Sequence, residues 1–213
     1  MPSFNSRAPR TGRHDTPSMT IERADLHTER LVLHPMTREE AERVVRRRPA
    51  AGDRWGPEYP DAMDVRGAQV LLEASGTDGG HRPVGNYEIR RRDDGRAIGG
   101  IGLDRASGAA DAVTVGYGLN ASARGKGYAA EALRALLAFA WSQGIARVEA
   151  DADLDNLASQ HVMAAAGMRP VGQDHRVRYF AATAPGACAA PGGRTTGPGA
   201  PAAAPGADQL GSS

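Results

Sequence analysis

One cysteine, Cys188, serves the whole 213-residue chain, so no internal disulfide is available. Charge is nearly balanced, at a formal +1, which leaves none of the basic excess that a nucleic-acid surface would show. No apolar run approaches the roughly 18 residues of a membrane span. The opening stretch "MPSFNSRAPRTGRHDTPSMT" has no apolar core of the kind a signal peptide carries. These features favour a soluble cytoplasmic protein without a nucleic-acid or membrane partner. The 40% of hydrophobic residues is enough for a core.

Both ends read as tails. Residues 1–19 mix Pro, Ser, Arg and Gly without period. Residues 184–213 are mostly Ala, Gly and Pro, with Leu210 the one bulky apolar side chain. Such segments cannot bury enough surface to offset their ordering entropy. Cys188 lies in the second of them, which argues against a catalytic thiol. One domain, residues 20–183, remains.

Within it, "TERLVLHP" alternates Leu31 and Leu33 with polar neighbours and stops at Pro35, as a strand does. Thr37 and Glu40 form a capping box ahead of Ala41, Val44 and Val45 at helical spacing. "RWGPEYPDAMD" reads as a loop and "VRGAQVLLEA" as a second helix. "VGNYEIRRR" and "RAIGGIGLDR" are strands joined at a "DDG" turn, and "AVTVGYGL" is a third. A long helix follows, striped by Ala129, Leu133, Leu136, Leu137 and Ala140. "RVEADAD" is a strand, "NLASQHVMAAAGM" a shorter helix closed by Gly167, and "RPVGQDHRVRYFA" a final hairpin. The order β-α-α-β-β-β-α-β-α-β(β) is mixed α/β, not a regular βαβ alternation.

The stretch "ASARGKGYAAEAL" carries a local anion-binding signal: glycines leading into a helix whose first N–H groups lack partners. Gly125, Gly127 and Ala130 spell G-x-G-x-x-A, but the dinucleotide fingerprint belongs directly after the first strand of a βαβ unit. Here "NASAR" intervenes and three antiparallel-looking strands come first. The nucleotide-hydrolase loop G-x-x-x-x-G-K-[ST] is absent. Arg124, Gly127 and Ala129 also spell R-x-x-G-x-A.

With "TERLVLHP", "IGGIGL", "VTVGYGL", "ARGKGYAAEAL" and "DNLASQHVMAAAGM" in order across residues 28–180, the chain resembles the GNAT N-acetyltransferases. The resemblance is closest to the branch of ribosomal-protein N-terminal acetyltransferases. It implies a mostly antiparallel α/β sheet with a splayed central strand pair, and acetyl-CoA as acyl donor, with no metal. The pyrophosphate would lie on Arg124, Gly125, Lys126, Gly127, Tyr128 and Ala129. Tyr117, Gly118 and Leu119 would meet the pantetheine arm, and Asn156 and Ser159 would line the slot. Asn156 also suits a helix N-cap. The reaction implied is direct attack on the thioester by a primary amine, that of a small molecule or of a peptide N-terminus, in a monomer or homodimer.

The family's acid-base groups are missing, however. Thr114 stands where many relatives have Glu, Met163 where many have Tyr, His34 where Arg is usual and Met168 where Phe is usual. Glu88 is the candidate base, with an ordinary strand residue facing Arg90 or Arg91 as the alternative. His34 and His161 are lesser candidates. In the acceptor segment, Trp55 and Tyr59 form an aromatic wall or pin the loop to the core. Asp53, Glu58, Asp61 and Asp64 would attract a cationic amine.

Overall fold

The computed structural model describes residues 24–74, 85–105 and 112–186; Cys188 and the remainder of both tails lie outside them. Eight strands form one sheet: β1 (Leu26–His27), β2 (Leu31–Pro35), β3 (Gly85–Arg91), β4 (Ala97–Arg105), β5 (Ala112–Leu119), β6 (Arg147–Asp153), β7 (Arg169–Gln173) and β8 (Val177–Thr183). Their order is β1-β2-β3-β4-β5-β6-β8-β7. Every neighbouring pair is antiparallel except β5 and β6. That parallel pair needs a crossover, and the helix α3 (Tyr128–Ser142) supplies it. The helices α1 (Arg38–Arg46), α2 (Ala62–Ala74) and α4 (Leu157–Ala165) complete the fold. The expected element order and sheet type are thus observed. The two-residue β1 is additional, and Ala184 extends the β8–β6 pairing by one bond, its N–H donating to Ala146 O at 3.0 Å.

Alternation along the strands sorts the two faces. Leu31, Leu33, Tyr87, Ile89, Ile101, Leu103, Val113 and Val115 project into the larger core, where Leu133 and Leu136 of α3 are fully buried. Each such leucine contributes about 1.5–3 kcal/mol of burial. The opposite face carries a smaller core: Met36, Ala41, Val44, Tyr59, Ala68, Leu71 and Ala97. The capping box at Thr37 forms as expected, with Glu40 N–H to Thr37 Oγ1 at 3.2 Å and Thr37 N–H to Glu40 Oε2 at 2.8 Å.

α2 begins at Ala62, three residues before the expected Val65. Asp61 caps it, accepting from the N–H groups of Met63 and Asp64 at 2.8 and 3.0 Å. Asp64 Oδ2 accepts in return from the Asp61 N–H at 2.8 Å. A bulge interrupts the β3–β4 register at Ile89/Arg90. Beside it, Gly99 has φ +155, and a Cβ there would lie 2.2 Å from Gly118 O, so no other residue fits.

Glu131, in the first turn of α3, fastens the front of the sheet to the helix. It accepts from Thr28 Oγ1 at 2.6 Å, Arg30 N–H at 2.8 Å and Arg30 Nε at 2.7 Å. Its side chain is largely buried. Glu131→Ala strands these donors, so we expect a loss of about 1–3 kcal/mol in unfolding free energy, measured by urea titration.

Candidate active site

β5 and β6 run together only briefly. Ala112, Val113 and Thr114 pair with Arg147, Val148 and Glu149, and there the pairing ends. β5 continues to Leu119 along β4, while β6 continues to Asp153 along β8. The two strands part into a V. Backbone groups of β5 beyond Thr114 that point away from β4 have no strand to bond. Tyr117 reaches across the opening, its hydroxyl donating to Ser159 O at 3.1 Å. Asn156 caps α4 on the far side, accepting from Ser159 N–H at 3.1 Å. The N-cap alternative for Asn156 is therefore observed, and it sits at the V.

A turn links the open end of β5 to α3. Gly125 and Gly127 both have positive φ, and Gly127 is the helix N-cap, with no side-chain cap bond. The first N–H groups of α3, beginning at Tyr128 and Ala129, have no earlier turn of helix to bond. Surrounding side chains brace this turn. Arg124 Nε donates to Leu119 O at 2.8 Å, and Lys126 Nζ to Ser122 O at 2.9 Å. Arg30 donates to Lys126 O at 2.9 Å and lies 4.8 Å from the centre of the Tyr128 ring. Glu58 accepts from both the N–H and the hydroxyl of Ser122 at 2.9 Å. Positive-φ glycines, the α3 N-terminus and the cations Arg124 and Lys126 thus meet at one turn, an arrangement chemically suited to a phosphate-sized anion.

On the α2 side of the sheet, glycines replace side chains. His34, Glu88, Gly100 and Gly118 form one row across β2, β3, β4 and β5. Asn86, Gly102 and Gly116 form the next. The bare strands let α2 descend: a Cβ on Gly118 would meet Met63 Cβ at 3.3 Å, and one on Gly100 would meet Asp64 Oδ1 at 3.3 Å. A cleft remains, lined by Met36, Met63, Asp64, Asn86, Tyr117 and these glycines.

A GNAT acetyltransferase domain model matches residues 30–169. The chain belongs to the GNAT acetyltransferase family. No curated protein matches the sequence. Among solved structures, it is similar to a putative GNAT-family acetyltransferase from Bordetella pertussis at 26% identity, over 75% of this chain and 98% of that one, with TM-score 0.52. It is also similar to Mycobacterium smegmatis RimJ, solved with CoA-disulfide, at 23% identity, over 72% and 82% of the chains, with TM-score 0.51. A third likeness is to the ribosomal-protein-S5-alanine acetyltransferase from Vibrio fischeri, at 15% identity over 75% and 96%, with TM-score 0.55.

In this GNAT domain the acid-base candidates fall into distinct settings. Glu88 is buried on β3 and ion-paired with Arg90, which also reaches Glu40 Oε1 at 3.3 Å. Glu88 is not among the cleft-lining residues. His34 bridges Asp25 and Glu40 at 2.7 and 3.1 Å. That contact holds Glu40 down at about 2 and raises His34. His161 is exposed on α4. Met163 is fully buried in the core, and Thr114 sits on the joined part of β5.

The acidic residues of the acceptor segment separate likewise. Asp53 pairs with Arg43 at 2.7 Å, Glu58 holds Ser122, and Asp61 caps α2. Asp64 alone of the four lines the cleft, and it is buried, at 6% exposure. Burial pushes it up to about 7, helped by the charges of Asp61 and Glu88 and opposed by the bond it accepts from the Asp61 N–H. Trp55 packs edge-on against Tyr59, 5.5 Å between ring centres, and pins the loop to the smaller core. Neither ring lines the cleft. Tyr59 is held neutral by burial and by Glu88 and Asp64 nearby. Sequence reading placed Asp64 only among several acids; the glycine pairs Gly100/Gly102 and Gly116/Gly118 are the signal that something descends onto that face. Among the described residues no cluster suits a metal ion, and no helix is long and apolar enough to cross a membrane.

Asp64 makes stability depend on pH. An unfolded aspartate titrates near 3.9. Between about pH 4 and 7 the folded chain therefore binds more protons at this residue than the unfolded chain does. The Asp64 contribution must fall as pH rises across that window and level off above it. Urea unfolding of wild type and Asp64→Asn across pH 4–8 checks this: the wild-type stability minus that of the variant should decline from pH 4 to 7.

Proposed function

We propose that this protein moves an acetyl group from acetyl-CoA to a primary amine, on a small molecule or a peptide N-terminus, by direct attack of the amine. The observation that carries the reading is the parting of β5 from β6 after Thr114, next to a glycine-capped helix N-terminus. Acetyl-CoA supplies the activated acyl carbonyl. The α3 turn, Arg124 to Ala129, holds the pyrophosphate with backbone N–H groups and the charges of Arg124 and Lys126. Tyr117, Gly118 and Leu119 offer the pantetheine arm the backbone bonds that β6 leaves unmade. A β5 N–H near Leu119 polarises the thioester carbonyl. Asn156 and Ser159 close the far wall. The acceptor enters from the cleft beneath α2, whose floor is backbone and whose walls are Met36, Met63 and Asp64.

Free thiol released from acetyl-CoA in the presence of peptide N-termini and small amines tests the reading. Turnover is expected. Tight CoA binding without thiol release from any amine would instead leave an acyl-CoA-binding module. The phosphate seat is tested separately by Gly127→Asp and Gly127→Asn. Both accept the same backbone conformation, but only Asp places a negative charge at the α3 N-terminus. CoA affinity measured by calorimetry should fall at least tenfold more in Gly127→Asp than in Gly127→Asn, with both proteins folded.

A further inference from the structure

We propose that Asp64 takes the proton from the acceptor amine, directly or through one water. The proposal rests on the acetyl-transfer reading above and adds the residue that serves it. Three observations carry it. The first is register. Glu88, Gly100 and Gly118 lie side by side on β3, β4 and β5. Asp64 Oδ1 stands over Gly100, 3.3 Å from where a Cβ would be, and Met63 stands over Gly118. Adjacent strands are about 4.8 Å apart. The Asp64 carboxylate is therefore one strand to the side of the Gly118 backbone, within direct or one-water reach of an amine there. Glu88 is two strands away and is engaged by Arg90.

The second is how Asp64 is held. Its Oδ2 accepts from the Asp61 N–H at 2.8 Å, closing the first turn of α2. That bond fixes the rotamer and leaves Oδ1 over the glycine floor of the cleft. A side chain that served only as a cap would gain nothing from burial over bare backbone. The third is charge. Around Asp64 lie Asp61 at the α2 cap, Tyr59 from the preceding loop, and Glu88 on β3. Arg90 is committed to Glu88 and Glu40. Arg66 and Asp104 line the same cleft. Two neighbouring acids and burial keep the carboxylate basic, as found above.

In the transfer, the amine nitrogen bonds the acetyl carbon and the carbon–sulfur bond breaks, its electron pair leaving on sulfur. The proton shed by nitrogen passes to Asp64 and on to water, and the thiolate takes one proton from water, so the balance closes.

Asp64→Asn, assayed with an α-amino peptide, should lose about 100-fold or more in turnover. CoA affinity by calorimetry should stay unchanged, and the acidic limb of the pH–rate profile, near pH 7 in wild type, should vanish. Glu88→Gln removes a charge that raises Asp64, so its acidic limb should move to lower pH with a smaller loss of rate. This second variant keeps the test open if the first does not fold. Wild-type-like turnover and pH profile in folded Asp64→Asn would overturn the proposal. So would an unmoved limb in Glu88→Gln, or a rate loss that merely follows lost CoA binding. A wild-type protein that releases no thiol with any amine would sink the acetyl-transfer reading itself, and this proposal with it.

Discussion

The parting of β5 from β6 is the constraint on which the rest of this structure depends. Parallel strands ordinarily satisfy each other's backbone along their length. Here three residue pairs are joined, and the strands then diverge. Unmade backbone bonds inside a sheet are costly unless something else makes them. The outer neighbours hold the V open: β4 pairs with β5 through to Leu119, and β8 pairs with β6 over all seven of its residues. Tyr117 and Ser159 bridge it once. The chain thus builds a slot of hydrogen-bonding groups from backbone alone, which side-chain substitution cannot easily remove.

The divergence also fixes where charge can be placed. The open end of β5 leads straight into the glycine turn, so the α3 dipole points at the mouth of the slot. Glu131 looks out of place so near a turn proposed to hold an anion. Its charge is neutralised by Arg30, which in turn holds Lys126 O and covers Tyr128. The acid therefore braces the turn while the cation faces the loop. On the other face, the glycine rows trade side-chain packing for proximity, and α2 brings Met63 and Asp64 almost onto the strands.

Legibility in the sequence followed locality. The strands of "TERLVLHP" and "AVTVGYGL" show in their alternation because burial on one face has period two. The turn before α3 shows because glycines, cations and helix are contiguous. The start of α2 is three residues earlier than its apolar spacing predicts: Asp61 and Asp64 cap it reciprocally, yet two aspartates in a Pro- and Gly-containing stretch look like loop. The surroundings of Glu88 were hidden for a different reason. Its partners are set by register and by packing of α1, α2 and their loop. Of the two arginines that follow it on β3, Arg90 pairs with it, while Arg91 turns to Asp94. Nothing in the spacing of residues 64, 88, 100 and 118 announces that they meet.

The same physics explains why the acid is costly to keep. A carboxylate buried over backbone, beside a second carboxylate, is destabilising whenever it is ionised. The chain could have lowered that cost by turning Arg90 toward Asp64, yet Arg90 is spent on Glu88 and Glu40. A capping role alone would be met by an exposed Asp or Asn at the same helix position. Holding an under-neutralised acid against bare backbone sacrifices stability in the neutral range, and that sacrifice is intelligible where the acid's affinity for a proton is itself put to use.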